Sequence, residues 1–182
     1  VHQEPICKSS PFFKAALGRN WAEKQDGIVR LPTHSAKTFQ VYNQWLYRRW
    51  IYPPATGDWP CLVDAYLLGE YLQDMNFTDT IMDTMLTLLG RVSLEAYKDI
   101  QKIYNNTKYG SPLRRLVVDL TVWRKGHIAW ASEEMTQWPT EFVQSMALGL
   151  SKRIEYSETM RHFRDPTNNG ISSCRYHCHG EE

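Results

Sequence analysis

Residues 1–17, VHQEPICKSSPFFKAAL, decide how the rest of the chain is read. An apolar residue and a histidine open the stretch, and Ile6 and Cys7 lead to a turn at Ser9-Ser10-Pro11. Ser10 before Pro11 is the arrangement of an N-cap followed by proline at the first helical position, where a missing N–H has no intrahelical bond to lose. Phe12, Phe13, Ala16 and Leu17 then place apolar side chains along a helix. The stretch reads as the way into a packed core, and it carries no catalytic constellation.

Composition narrows the classes. A length of 182 residues suits one domain with a helical extension. Lys and Arg number 21 against 20 Asp and Glu, for a formal net charge of +1. Nucleic acid is therefore not an expected partner, because phosphate binding needs concentrated positive charge. The short basic pairs Arg48-Arg49, Arg114-Arg115 and Lys152-Arg153 read as solvated faces or local ion pairs. No apolar run approaches the roughly 18 residues of a membrane span, and the opening does not read as a secretory leader, so no membrane partner is expected. Cys7, Cys61, Cys174 and Cys178 are too sparse for a disulfide framework. An intracellular location, cytoplasmic or nuclear, is the expectation.

Along the chain, Asp26-Gly27 marks a turn, and Gly27 to Leu31 alternates in part, predicting a short strand closed by Pro32. Phe39, Tyr42, Trp45 and Leu46 recur at helical spacing, and Ile51-Tyr52 reads as a second short strand before Pro53-Pro54. From Cys61 a further helix carries Leu62, Ala65, Gly69 and Leu72 on one face; small residues four apart predict close approach of a neighbouring helix. Asp74 to Phe77 breaks that helix, and Thr78-Asp79 caps a third one with Ile81, Met82, Met85, Leu88 and Leu89 inside. Ser93 is the expected cap for Tyr97, Ile100, Ile103 and Tyr104. Ser111-Pro112 opens a strongly periodic helix through Leu113, Leu116, Val117, Leu120 and Trp123. Trp138-Pro139 introduces another, with Phe142, Val143, Met146 and Leu150. The polar, Gly/Ser/Asn-rich stretch from Asp165 to Glu182 is expected to be disordered.

In order, V-H at Val1-His2, S-x-F-F at Ser10–Phe13, W-x-E at Trp21–Glu23, I-V-R-L-P, F-x-x-Y-x-x-W-L-Y at Phe39–Tyr47 and Y-L-L-G-E at Tyr66–Glu70 resemble the BTB/POZ domain of filamentous fungi. Ile103 to Asp119 is similar to the region after the core in those proteins, and Cys174 to His179 to their C-terminal C-x-Y-H-x-H. The resemblance implies an α+β, mostly α fold: a BTB/POZ-like helical bundle with a small flanking sheet over residues 1–90, and a helical extension over 91–164. It also makes Val1-His2 the end of a strand. Family members carry a β-hairpin before that pair. The expected domain thus lacks it or begins after it, which leaves homo-oligomerisation open and an unpaired edge at Ile28 to Leu31.

The expected function is a non-catalytic protein–protein interaction module, for self-association or as a partner scaffold. Candidate interface residues are Trp21, Tyr47, Trp50, Tyr52, Trp59, Arg114 and Arg115, since aromatic and arginine side chains dominate interface energetics. Partners are another protein, with a second BTB domain or a cullin as candidates. The alternatives are an adaptor subunit recruiting a cullin-type ubiquitin ligase, and a zinc-binding regulator using Cys174, His177, Cys178 and His179. Thiolate and imidazole suit zinc. Adjacent His177, Cys178 and His179 do not easily reach one ion together with Cys174, so neither a metal nor a cofactor is expected. Glu23 and Glu70 have no neighbouring carboxylate for acid–base work, and Ser9-Ser10 lacks a G-x-S-x-G setting. An enzyme is not expected.

Overall fold

A computed structural model of the chain describes residues 1–18, 27–51, 58–89, 96–123, 135–155 and 173–177. Among these residues the protein is helical, with no strand and no sheet. The expected α+β class with its small flanking sheet is therefore corrected. Ile28 to Leu31 has no regular secondary structure. Its side chains do alternate, Ile28 and Arg30 exposed and Val29 and Leu31 half-buried, which is the pattern that suggested a strand. A strand exists only by exchanging hydrogen bonds with a neighbour, and no described segment pairs with this one. Gly27 at φ +65° and a turn bond from His34 N–H to the Leu31 carbonyl (3.2 Å) bracket it instead. Ile51 is likewise outside any strand, and Tyr52 lies outside the described residues.

The residues divide into two compact units, 1–84 and 85–182, with the division inside one helix. In the first unit, α1 (Gln3–Ser9) follows Val1-His2, where the resemblance placed a strand end. Pro5 is its third residue, inside the first turn, where the missing N–H breaks no intrahelical bond. α2 (Pro11–Gly18) begins as the sequence indicates. Ser10 Oγ accepts the Phe13 N–H at 3.3 Å and donates to the Leu72 carbonyl at 2.7 Å, and Ser10 is fully buried. α3 (Ala36–Arg48) is capped by Ser35, whose side chain accepts from the Thr38 N–H. α4 (Trp59–Leu72) starts two residues before the expected Cys61, because Asp58 accepts the Cys61 N–H and Pro60 fits its first turn. α5 (Met75–Leu88) also starts early: Asp74 rather than Thr78 is the cap, its Oδ1 accepting the Phe77 N–H at 3.2 Å. α3 packs on α4, α2 on α4, and α1 on both α2 and α3. Tyr42, Trp45, Leu62, Tyr66, Leu68, Leu72, Phe77, Ile81 and Met82 form the interior. At Gly69 a neighbouring helix does come close: a Cβ there would lie 2.7 Å from Thr78 Cγ2 and 2.9 Å from Phe77 Cδ1.

The second unit holds a 3₁₀ turn at Ala96–Asp99, α6 (Ile100–Asn106), α7 (Pro112–Trp123), a 3₁₀ turn at Met135–Gln137, α8 (Thr140–Glu155) and a 3₁₀ turn at Ser173–Tyr176. α7 is the hub, packing on α6, α8 and the last turn. It is buried nearly all round, with Arg115 the exposed exception. Of the tail expected to be disordered, residues 173–177 are described and pack against α7, with Tyr176 fully buried. Ser93, read as a cap, lies outside the described residues.

Candidate functional site

Two buried carboxylates organise the interior. Asp74 is 1% exposed, and its Oδ2 accepts from Ser9 Oγ at 2.6 Å and from Tyr42 Oη at 3.0 Å. With the Phe77 cap this ties the end of α1, the middle of α3 and the start of α5 to one side chain. Burial, and then the charge of Asp74, push the Tyr42 phenol up from its ordinary value, so it stays a donor. Asp119 plays the same part in the second unit. Its Oδ2 accepts from Arg175 Nη2 at 2.7 Å and from Tyr176 Oη at 3.0 Å. Burial and Asp119 hold the Tyr176 phenol protonated in the same way. Neither aspartate stands out in the sequence, because each meets these side-chain partners across 32 to 65 residues.

Arg114, a candidate interface residue, is buried at 8% exposure. Its Nε donates to Thr107 Oγ1 at 2.8 Å, Nη1 to Glu141 at 2.6 Å, and Nη2 to the Tyr104 carbonyl at 2.8 Å and to the Thr107 carbonyl. The guanidinium also lies 4.5 Å from the Tyr104 ring centroid. Arg114 thus closes the C-terminal end of α6 onto α7 and α8, with the local ion pair that the Arg114-Arg115 doublet suggests. Burial and then Glu141 push the Tyr104 phenol up to about 12, with Arg114 opposing. Arg115, next in sequence, is exposed and donates to the Gly110 carbonyl at 3.0 Å.

Trp59 belongs to the interior at 5% exposure, and among the described residues its buried Nε1 has no hydrogen-bond partner. Trp21 and Tyr52 lie outside the described residues. Tyr47 and Trp50 come to the surface together at the end of α3, 48% and 46% exposed. The structure fixes that surface. Arg49 takes a left-handed φ of 57° and lies over the Trp45 ring at 4.7 Å, while Arg48 lies 5.9 Å from the Trp50 ring. Tyr47 Oη is held by the His2 backbone N–H at 2.9 Å and by His2 Nδ1 at 2.8 Å, which gives His2 a bonded structural role. The contiguous sequence Tyr47-Arg48-Arg49-Trp50 therefore presents two aromatic rings and two cations at one place.

Other candidates for chemistry do not assemble. Among the described residues no three His, Cys, Asp or Glu side chains gather as a metal site. Cys174 is exposed and His177 half-buried, while Cys178 and His179 lie outside the described residues. Burial pushes the Cys7 and Cys61 thiols up, which makes both weaker nucleophiles at neutral pH. Among the described residues no helix is long and apolar enough to cross a membrane.

No family model matches the chain, and no curated protein or solved structure is significantly similar to it. Nothing in these comparisons identifies a BTB/POZ domain.

Proposed function

We propose that the chain is a non-catalytic protein-interaction module whose partner docks at the end of α3, on Tyr47, Arg48, Arg49 and Trp50. One observation carries this reading: two large aromatic side chains stay about half exposed beside two arginines on a backbone that burial and hydrogen bonds hold in place. Interface cores are enriched in tyrosine, tryptophan and arginine, and pre-ordered side chains lose less entropy on binding. The complementary partner is a protein surface with an apolar recess bordered by carboxylates. The reading rests on the α3 end and not on membership of any family.

The test is a photo-crosslinking amino acid placed at Trp50, with Lys152 on α8 as the control position. A specific protein crosslinked from position 50, lost in R48E/R49E and absent from the control, supports the proposal. Sedimentation of the pure protein shows whether that partner is a second copy. Equal capture from both positions, or none from position 50 in a monomeric protein, overturns it.

A further inference from the structure

A cleft of about 240 Å³ opens within the second unit, between the 107–111 loop, α7, α8 and the 173–176 turn. Three arginines line it, Arg114, Arg115 and Arg175, against two carboxylates, Asp119 and Glu141. Each carboxylate is already paired with an arginine, Glu141 with Arg114 Nη1 at 2.6 Å and Asp119 with Arg175 Nη2 at 2.7 Å. That leaves one positive charge in excess, and it falls to Arg115. A guanidinium has five N–H donors, and Arg115 places one of them on the Gly110 carbonyl while remaining exposed at the cleft rim. Ser145 adds a hydroxyl from α8, and Tyr109, 89% exposed, adds a ring at the mouth.

We propose that this cleft takes one carboxylate presented by a peptide, with Arg115 as its anchoring fork. The excess charge matches a monoanion. A phosphate dianion would add a second negative charge beside Asp119 and Glu141, where like charges repel. The volume decides the size. Pockets for drug-sized ligands run to about 300–1,000 Å³, so this one suits a single side chain or chain terminus rather than a nucleotide. Arginine–carboxylate pairing already occurs twice in the lining of this cleft. This site stands on the second unit alone and does not depend on the α3 surface.

Titration of the isotopically labelled full chain by amide NMR tests it with four short peptides. One is blocked at both ends with a single glutamate, and one is charged only at its terminal carboxylate. The glutamine and phosphoserine counterparts of the first complete the set. Saturable shifts at Gly110, Arg115 and Ser145 on the order of millimolar affinity are expected with a carboxylate peptide and not with glutamine, since one exposed ion pair contributes modestly. Whichever carboxylate peptide binds identifies the source, side chain or terminus. Arg115→Gln should weaken that binding by about fivefold or more, while Lys152→Gln leaves it unchanged. Because Arg115 is exposed, an unaltered near-ultraviolet circular dichroism spectrum shows that its variant folds. Absent shifts, unaltered affinity in Arg115→Gln, or tighter binding of phosphoserine would each overturn the assignment.

Discussion

Asp74 joins three elements of the first unit through one buried side chain. A buried carboxylate is tolerated where donors surround it, and here two hydroxyls and a backbone N–H do so. Asp74→Ala removes the acceptor and leaves the Tyr42 hydroxyl and the Phe77 N–H buried without it. Unsatisfied buried donors cost about 1–3 kcal/mol each, so a loss of about 3 kcal/mol is expected in urea denaturation. Asp74→Asn keeps one acceptor and shape, and should cost about half as much. If Asp74→Ala moved the midpoint no more than an exposed substitution such as Lys37→Ala does, the side chain would not hold these elements together.

Among the helices, caps and close approaches decide stability more than propensity does. Ser10 serves two elements at once: it caps α2 and satisfies the Leu72 carbonyl at the end of α4. Ser10→Ala should therefore cost about 2 kcal/mol, the sum of a lost cap and an orphaned buried carbonyl. A cost within a few tenths of a kcal/mol would mean the bond to Leu72 contributes nothing. At Gly69, alanine would gain about 1 kcal/mol of helix propensity. Its methyl would sit within 3 Å of buried Thr78 and Phe77, and overpacking of this kind costs about 1–3 kcal/mol. Because both neighbours are buried and Phe77 is a rigid ring, the balance should be a net loss, read as a lowered melting temperature for Gly69→Ala.

Across the whole molecule, the buried tyrosines Tyr42, Tyr104 and Tyr176 set an alkaline limit. Tyr42, Tyr104 and Tyr176 all have phenols raised above the ordinary value near 10, each first by burial. A group whose folded pKa is raised binds its proton more tightly when folded. Its stabilisation is complete below the unfolded value and is lost as pH rises through the folded one. Stability should thus hold up to about pH 10 and fall steeply above it, with Tyr104, at about 12, losing its contribution between those limits. The tyrosinate absorbance of these three phenols is expected to appear together with unfolding; smooth titration of all tyrosines near pH 10 in a folded protein would contradict this. Truncation before Ser173 tests the second unit. It strips Asp119 of Arg175 and Tyr176 and uncovers α7 where Tyr176 is buried, so a destabilisation of several kcal/mol is expected in chemical denaturation.

Local chemistry alone announced most of the helices and some of their caps, but not α1 at Gln3–Ser9. Ser10-Pro11 and Ser111-Pro112 announce α2 and α7, and the spacing of Phe39, Tyr42, Trp45 and Leu46 marks the buried face of α3. These are local effects, fixed by bonds and contacts within a turn or two. Boundaries shifted where a better local cap lay upstream, as with Asp58 before α4 and Asp74 before α5. Tertiary structure alone decided the rest. The alternation of Ile28 to Leu31 is written in the sequence, but a strand needs a neighbour that no residue of its own can supply. Arg114 and Arg115 look alike in sequence; helix phase and the position of Glu141 on α8 bury one and expose the other. Ser173 to Tyr176 reads as polar tail, yet it packs on α7 because Asp119, more than fifty residues away, accepts both Arg175 and Tyr176. Partners so distant are set by how the chain closes on itself, and no local pattern records that.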